Sequence, residues 1–246
     1  MPTRPRSLTR RALRKLSSWL VYQYRVLRRS IITVEGVRIR AGRHMSRRVE
    51  RALSRGAHER QELRLIGEVL SPDDVVLEVG AGLGLVSTYC AQRVGSGRVF
   101  ACEADPELEP CIRDTYALNG VQPALDMCAV AARPGRITLR RDKHLVSSSV
   151  ARRRVGPRPV EVPGKALSYL VERVHPTMLI VDAEGAERDL FEGADLPGVN
   201  KIVLELPDRV LGADGTDRIR AALAQKGFEE DRWLSSPEHL VMRRVG

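Results

Sequence analysis

Val75-Val76-Leu77-Glu78-Val79-Gly80-Ala81-Gly82-Leu83-Gly84 is the stretch that decides how this chain folds. Five largely aliphatic residues are bounded by a turn signal, Ser71-Pro72-Asp73-Asp74, on one side and by three spaced glycines on the other. A short apolar run with such borders reads as a strand buried on both faces, as in parallel sheets. The glycines fall where that strand hands over to a helix beginning at Leu85. Glycine there lets the backbone turn sharply and lets a ligand lie against the main chain, whereas a side chain would fill the ligand's space. The first turn of the helix also presents free N–H groups, which suit an anionic group held by the loop.

Working outward, strand and helix alternate. Arg98 to Cys102 reads as a second strand, Pro106 to Leu118 as a helix closed by Asn119-Gly120, and Ala124 to Ala131 as a third strand. After a polar, Arg-rich stretch from Gly135 to Pro163, read as an insertion or hairpin over the end of the sheet, the alternation resumes. It gives helix 166–174, strand 178–181, helix 187–192, strand 201–204, helix 216–226 and a closing pair that starts at Gly227-Phe228 and ends at Met242. Short links between alternating elements call for a parallel sheet with right-handed crossovers, a Rossmann-like α/β fold. Upstream, Ile31 to Ile39 reads as a strand pair around Glu35-Gly36, and residues 46–70 as a charged helical stretch.

Two residues sharpen the meaning of the loop. A dinucleotide fingerprint needs glycine at the sixth position of G-x-G-x-x-G; counted from Gly80 that position is Leu85, which argues against a nicotinamide enzyme. Glu103 follows the second strand about twenty residues past the loop, where a carboxylate can accept hydrogen bonds from both hydroxyls of an adenosine ribose. The cofactor-binding candidates are therefore Glu78, Gly80, Ala81, Gly82 and Gly84 of the loop, with Glu103 and its neighbour Ala104. Asp182 and Glu184 stand at the carboxyl end of a central strand, the edge where open α/β sheets bind ligands. Carboxylates there favour a cation, and one of them can orient or deprotonate an acceptor hydroxyl, so both are the catalytic candidates. The alternative for Asp182 is a helix cap. No metal is expected, because Asp182 and Glu184 have no evident third or fourth ligand. The five histidines are scattered, and His239 reads as a packing or surface residue.

Val76 to Gly84 resembles motif I of class I S-adenosylmethionine methyltransferases, and Ile180-Val181-Asp182-Ala183-Glu184-Gly185-Ala186-Glu187 resembles the D-V-E-G-A-E signature of the FkbM family. Gly56-Ala57-His58-Glu59 is similar to that family's G-x-Y-E lead-in, with His58 in place of Tyr. The likeness spans about residues 50 to 240. It implies a mostly parallel seven-stranded sheet flanked by helices, S-adenosyl-L-methionine as cofactor, and methyl transfer to a hydroxyl of a glycan or small natural product. The chain departs from the family at Glu78, where Asp is usual, and at Lys165-Ala166-Leu167, where a Thr-Leu-Asp run is common.

Charge divides the 246 residues unevenly. Residues 1–64 hold 18 of 41 basic residues and 4 of 31 acidic ones, an excess of 14, while the remainder is slightly acidic. An acidic body with a basic arm differs from a uniformly basic nucleic-acid binder. Residues 7–29 read as a basic helix carrying Trp19, Tyr22 and Tyr24, three of the chain's ten aromatic residues, which suits either peripheral contact with an anionic membrane through residues 1–30 or packing of its apolar stripe on the body. A basic extension over 1–45 and a methyltransferase domain over 46–246 follow. An RNA methyltransferase gripping phosphates with the arm is the main alternative, and a non-catalytic membrane-associated protein the other. The nucleic-acid reading is disfavoured, since the strand end reads Asp-Ala-Glu-Gly and lacks the Asn/Asp-Pro-Pro-aromatic motif of base-nitrogen methyltransferases. No run of eighteen apolar residues exists, the Arg10-Arg11 pair lacks the long apolar stretch and cleavage site of an export signal, and the four cysteines form no C-x-x-C pair. A cytoplasmic location with free thiols is the expectation.

Overall fold

The computed structural model describes residues 31–40, 57–139, 159–182, 187–206 and 212–245. The basic helix expected at 7–29, the start of the helical stretch at 46–56, the boundary between extension and domain at 45/46, and Glu184 lie outside them.

The chain opens with β1 (Ile31–Val34) and β2 (Val37–Arg40), joined at Glu35-Gly36. Both turn residues have positive φ, 44° and 86°, which matches the right-handed twist of a two-residue hairpin. Then follow α1 (Ala57–Val69), β3 (Val76–Val79), α2 (Leu85–Val94), β4 (Val99–Glu103), α3 (Glu109–Asn119), β5 (Ala124–Met127), β6 (Ala129–Ala131), β7 (Gly135–Leu139) and β8 (Val160–Ala166). The last part comprises α4 (Leu167–Val174), β9 (Met178–Val181), α5 (Glu187–Leu190), β10 (Lys201–Glu205), α6 (Gly212–Ala224), β11 (Phe228–Glu230) and β12 (His239–Arg244).

Seven strands form one sheet in the order β11-β12-β10-β9-β3-β4-β5. Pairing is parallel from β10 through β5, and β12 runs antiparallel to both β10 and β11. This is the mostly parallel Rossmann-like sheet that the alternation implied. Period-two alternation along each strand feeds two cores. Ile180, Val203 and Val241 meet Leu63, Ile66, Val86 and Ile112 on the face covered by α1, α2 and α3. Leu179, Leu204 and Leu240 meet Leu170, Phe191, Ile219 and Leu223 on the other face.

At the amino edge of the sheet one buried carboxylate joins three strands. Asp74, just before β3, accepts from Lys201 Nζ at 2.6 Å, from Thr177 Oγ1 at 2.7 Å and from the Ser71 N–H at 2.6 Å. Burial pushes its pKa up, but these donors, Lys201 first among them, outweigh it and hold the group below its ordinary value.

Two stretches differ from the reading by pattern. Residues 124–131 are not one strand: the Cys128 N–H turns back to the Asp126 carbonyl at 3.0 Å, and the chain leaves the main sheet there. Beyond the break β6 pairs parallel with β8, and β8 pairs antiparallel with β7, so the expected insertion is a separate three-stranded sheet. The β1–β2 hairpin, which falls within the basic 1–45 stretch, buries Val34, Val37 and Ile39 in the first core. Arg40 Nε reaches Asp114 on α3 at 2.8 Å, and Arg38 and Asn119 exchange hydrogen bonds at 2.9 and 2.7 Å.

Candidate cofactor and acceptor site at the carboxyl edge

From β3 the chain builds outward through β4 to β5, then returns to the other flank of β3 at β9. The reversal leaves a crevice at the carboxyl ends of β3 and β9, where such sheets bind ligands. Register carries the site across the edge. Val79 is level with Cys102 on one side and Val181 on the other, Val181 with Leu204, and Leu204 with Leu240. One residue further on, Glu103, Gly80, Asp182, Glu205 and His239 stand in a row across five neighbouring strand ends. The residues one step back from the edge, Cys102, Val181, Leu204 and Leu240, face the second core. Alternation therefore turns the row toward the α1–α3 side.

The three glycines of the loop do three different things. Gly80, at φ 92°, lies so close to the next strand end that a Cβ on it would overlap the Asp182 carbonyl oxygen, far inside the 3.0 Å limit of real Cβ contacts. The N–H groups of Gly80 and Ala81 both donate to the Cys102 carbonyl, at 2.9 and 3.0 Å, and Ala81 is buried. Gly84, at φ 74°, is pressed by Ile112 and Tyr116 of α3, whose atoms would lie 3.0 and 3.1 Å from a Cβ. Gly82, at φ 55°, has nothing within 4 Å of the place where a Cβ would stand. The expectation that side chains at all of these positions would fill ligand space thus narrows to Gly82; Gly80 and Gly84 are kept glycine by the protein's own packing.

Glu103 holds the loop from beneath. Its Oε2 accepts from the Gly82 N–H at 2.8 Å and its Oε1 from the Asp105 N–H at 2.7 Å. Burial raises its pKa, a shift that these N–H bonds oppose. A carboxylate oxygen has a second lone pair, so both oxygens can still accept from ribose hydroxyls. Ala104 beside it packs toward the small three-stranded sheet.

Glu78 is buried below the loop, 2% exposed. Ser87, in the first turn of α2, lies near it and favours its charged form. Ser87 Oγ in turn accepts from the Tyr116 hydroxyl at 2.9 Å. Glu78 Oε2 has no hydrogen-bond partner. Burial pushes the group up to about 8, opposed by the nearby Ser87 and reinforced by the charge of Glu103.

Asp182 is half-buried at the end of β9, its N–H donating to the Val79 carbonyl at 2.8 Å. Glu205 is half-buried one strand away, and His239, 1% exposed, is its partner across the antiparallel pair. Reading by pattern missed Glu205 and underrated His239. The signal that finds them is register, which a linear sequence does not display. Among the described residues no cluster of three or more His, Cys, Asp or Glu is placed to hold a metal. The thiols Cys90, Cys102 and Cys128 are free and buried, and Cys111 is free and half-buried.

Residues 78–230 match the family described as Methyltransferase FkbM domain. The chain belongs to the FkbM methyltransferase family. It is an S-adenosylmethionine-dependent methyltransferase, and the residues present fit that cofactor: space opens at Gly82, and Glu103 can take the ribose. Among solved structures this FkbM methyltransferase is similar to the tRNA (uracil-54, C5)-methyltransferase of Pyrococcus abyssi in complex with S-adenosyl-L-homocysteine, with TM-score 0.50 and 11% identity over 87% of this chain and 43% of that one. It is also similar to precorrin-6y C5,15-methyltransferase of Geobacter metallireducens, with TM-score 0.46 and 14% identity over 76% of this chain and 88% of that one. At these identities the likeness is one of fold. No curated protein matches the chain. Among the described residues no helix is long and apolar enough to cross a membrane.

Proposed function

We propose that this methyltransferase acts on a hydroxyl of a glycan or small natural product, with Asp182 as the carboxylate that meets the acceptor. The observation that supports this reading most is the place of Asp182: at the switch point, against Gly80, and on the side of the row away from Glu103. Strand ends lie about 4.8 Å apart, so Asp182 sits roughly 10 Å from the ribose-binding position, separating adenosine recognition from the acceptor. When bound, the cofactor supplies an electrophilic methyl group on a sulfonium. Asp182 would accept the hydrogen bond of the acceptor hydroxyl, fix the oxygen's direction of approach, and take its proton as the new C–O bond forms and the methyl–sulfur bond breaks, leaving S-adenosylhomocysteine. Glu184, two residues on, lies outside the described residues and keeps its place as the second candidate from sequence.

Labelled S-adenosylmethionine incubated with extract, followed by mass spectrometry of the labelled product, tests the acceptor class. A labelled hydroxyl on a carbohydrate or natural product supports the reading, and label confined to RNA bases or protein nitrogen overturns it. Asp182→Asn is expected to lower turnover far more than cofactor affinity, because the lost contact belongs to the transition state. Residues 1–30 are assigned peripheral contact with anionic membrane on their charge and their three aromatic residues.

A further inference from the structure

β12 enters the main sheet at its carboxyl edge and β11 leaves it there, so the link between them, residues 231–238, lies on the same edge as Gly80, Asp182 and Glu205. The link is bonded to that row of strand ends. The N–H of Leu206, next after Glu205, donates to the Glu238 carbonyl at 2.8 Å, the Ser236 N–H to the His239 carbonyl at 2.8 Å, and the His239 N–H to Ser236 Oγ at 3.0 Å. Within the link the Ser235 N–H donates to the Asp231 carbonyl at 2.9 Å, and Arg243 Nε pins the Asp231 carboxylate at 2.8 Å. Leu234 packs on the first core, so the link crosses on the side toward which the row is turned. Beside it Trp233 is 97% exposed. A backbone tied down at both ends holds that indole out in solvent. Its neighbours Arg232, Ser235, Pro237 and Glu238 give it no apolar patch to join.

We propose that Trp233 is the far platform of the acceptor site, on which one sugar ring stacks while another ring of the same chain presents its hydroxyl to Asp182. The proposal rests on Asp182 being the carboxylate that meets the acceptor. β9, β10, β12 and β11 are consecutive in the sheet, so the two places are about three strand spacings, roughly 14 Å, apart. One ring cannot span that, and a short chain of rings can. The chemistry along the way selects the occupant. An indole offers a broad, electron-rich face to weakly positive C–H groups, and only two side-chain torsions are ordered when it does so. A sugar ring has such a C–H face and a rim of hydroxyls, for which the carboxylates of Glu205 and the exposed Glu238 are acceptors. The same carboxylates repel phosphates, which disfavours a nucleic acid stacking a base on Trp233. A purely apolar molecule would find one indole among polar groups, too little to hold it. The acceptor is thus a carbohydrate of several linked rings.

Trp19 and Trp233 are the two tryptophans of the chain, so the fluorescence of full-length Trp19→Phe reports on Trp233 alone. It is titrated, with S-adenosylhomocysteine present, with cellotetraose, maltotetraose and mannotetraose, with glucose and mannose, and with a single-stranded RNA oligonucleotide. A saturable change with at least one tetrasaccharide is expected, about tenfold weaker with its single ring and absent with RNA. In the labelled-extract assay, Trp233→Ala is expected to raise the half-saturating acceptor concentration about tenfold while the rate at saturation holds, the signature of a binding contact away from the reacting atoms. Trp233→Tyr should restore most of that loss, and both variants should melt with the wild type because the side chain they alter is in solvent. A response to RNA alone, no response to any tetrasaccharide, equal responses to one ring and four, or an unchanged half-saturation in Trp233→Ala overturns the proposal. Label on a hydroxyl together with wild-type behaviour of Trp233→Ala removes the platform and leaves Asp182 in its role. Label confined to RNA bases or protein nitrogen removes both.

Discussion

Replacing Gly80 or Gly82 by alanine adds the same methyl group two residues apart, yet the two variants are expected to fail in opposite ways. Both glycines have positive φ, so alanine costs about 1 kcal/mol at either position from backbone conformation alone. At Gly82 that is the whole cost to the fold, because nothing lies within 4 Å of the new atom. At Gly80 the methyl group runs into the main chain of Asp182, which has no side-chain freedom with which to yield. The ends of β3 and β9 must part by roughly 1 Å in a close-packed interior. The Asp182 N–H to Val79 carbonyl bond, now 2.8 Å, would stretch beyond hydrogen-bond range. Losing that pair in a buried place costs about 1–3 kcal/mol for each group left unsatisfied. Gly80→Ala is therefore expected to lose about 4 kcal/mol in urea denaturation, a large part of a typical domain's stability. Gly82→Ala is expected to keep a near-normal denaturation midpoint and lose calorimetric binding of S-adenosylhomocysteine by tenfold or more. A Gly80→Ala variant of wild-type stability, or a Gly82→Ala variant that binds normally, would refute the division of labour among these glycines.

The ligand-free protein should lose stability as pH rises through neutrality, since Glu78 goes from an ordinary 4.5 when unfolded to about 8 when folded. Unfolding releases a proton in that window, so the contribution is greatest below pH 4.5 and declines by up to about 1.4 kcal/mol per unit until about pH 8. Denaturation from pH 5 to 8 in wild type and Glu78→Gln checks the slope, which should flatten in the variant; Asp74 and Asp231, both held low, act oppositely at acid pH, where their contributions are lost. Lys201→Met leaves the Asp74 carboxylate buried without its ammonium and should cost about 3 kcal/mol, with Asp74 then titrating at higher pH by NMR. Deleting residues 1–30 should leave cofactor binding intact and abolish salt-sensitive sedimentation with anionic vesicles; unchanged sedimentation would remove the membrane role from the arm.

Much of the architecture is legible in the order of residues. The Val75–Val79 run, Asn119-Gly120 and the Glu35-Gly36 turn are local signals, and local signals survive in one dimension. Cys128 shows where legibility stops: nothing in Ala124 to Ala131 marks a break, because the break is imposed by β6 pairing with β8 more than thirty residues away. The site is split in the same way. Glu103 and Asp182 can be found by their distance from strand ends, but Glu205 and His239 join them only through the register of β9, β10 and β12. The glycines are the subtlest case, since one motif conceals a strand contact at Gly80, an opening at Gly82 and a helix contact at Gly84.

The β1–β2 hairpin has a consequence for trimming the chain by protease or by design. A cut made just after Arg40 withdraws Val34, Val37 and Ile39, each at most 1% exposed, and with them the bonds that Arg38 and Arg40 make to α3. The vacated trough would uncover the apolar surfaces of α2 and α3 against which β2 packs, turning a folded enzyme into one with a fresh sticky flank. Charge would place the seam between arm and body near residue 45, whereas the hairpin at 31–40 belongs to the core, so fragment solubility should fall once a cut passes it.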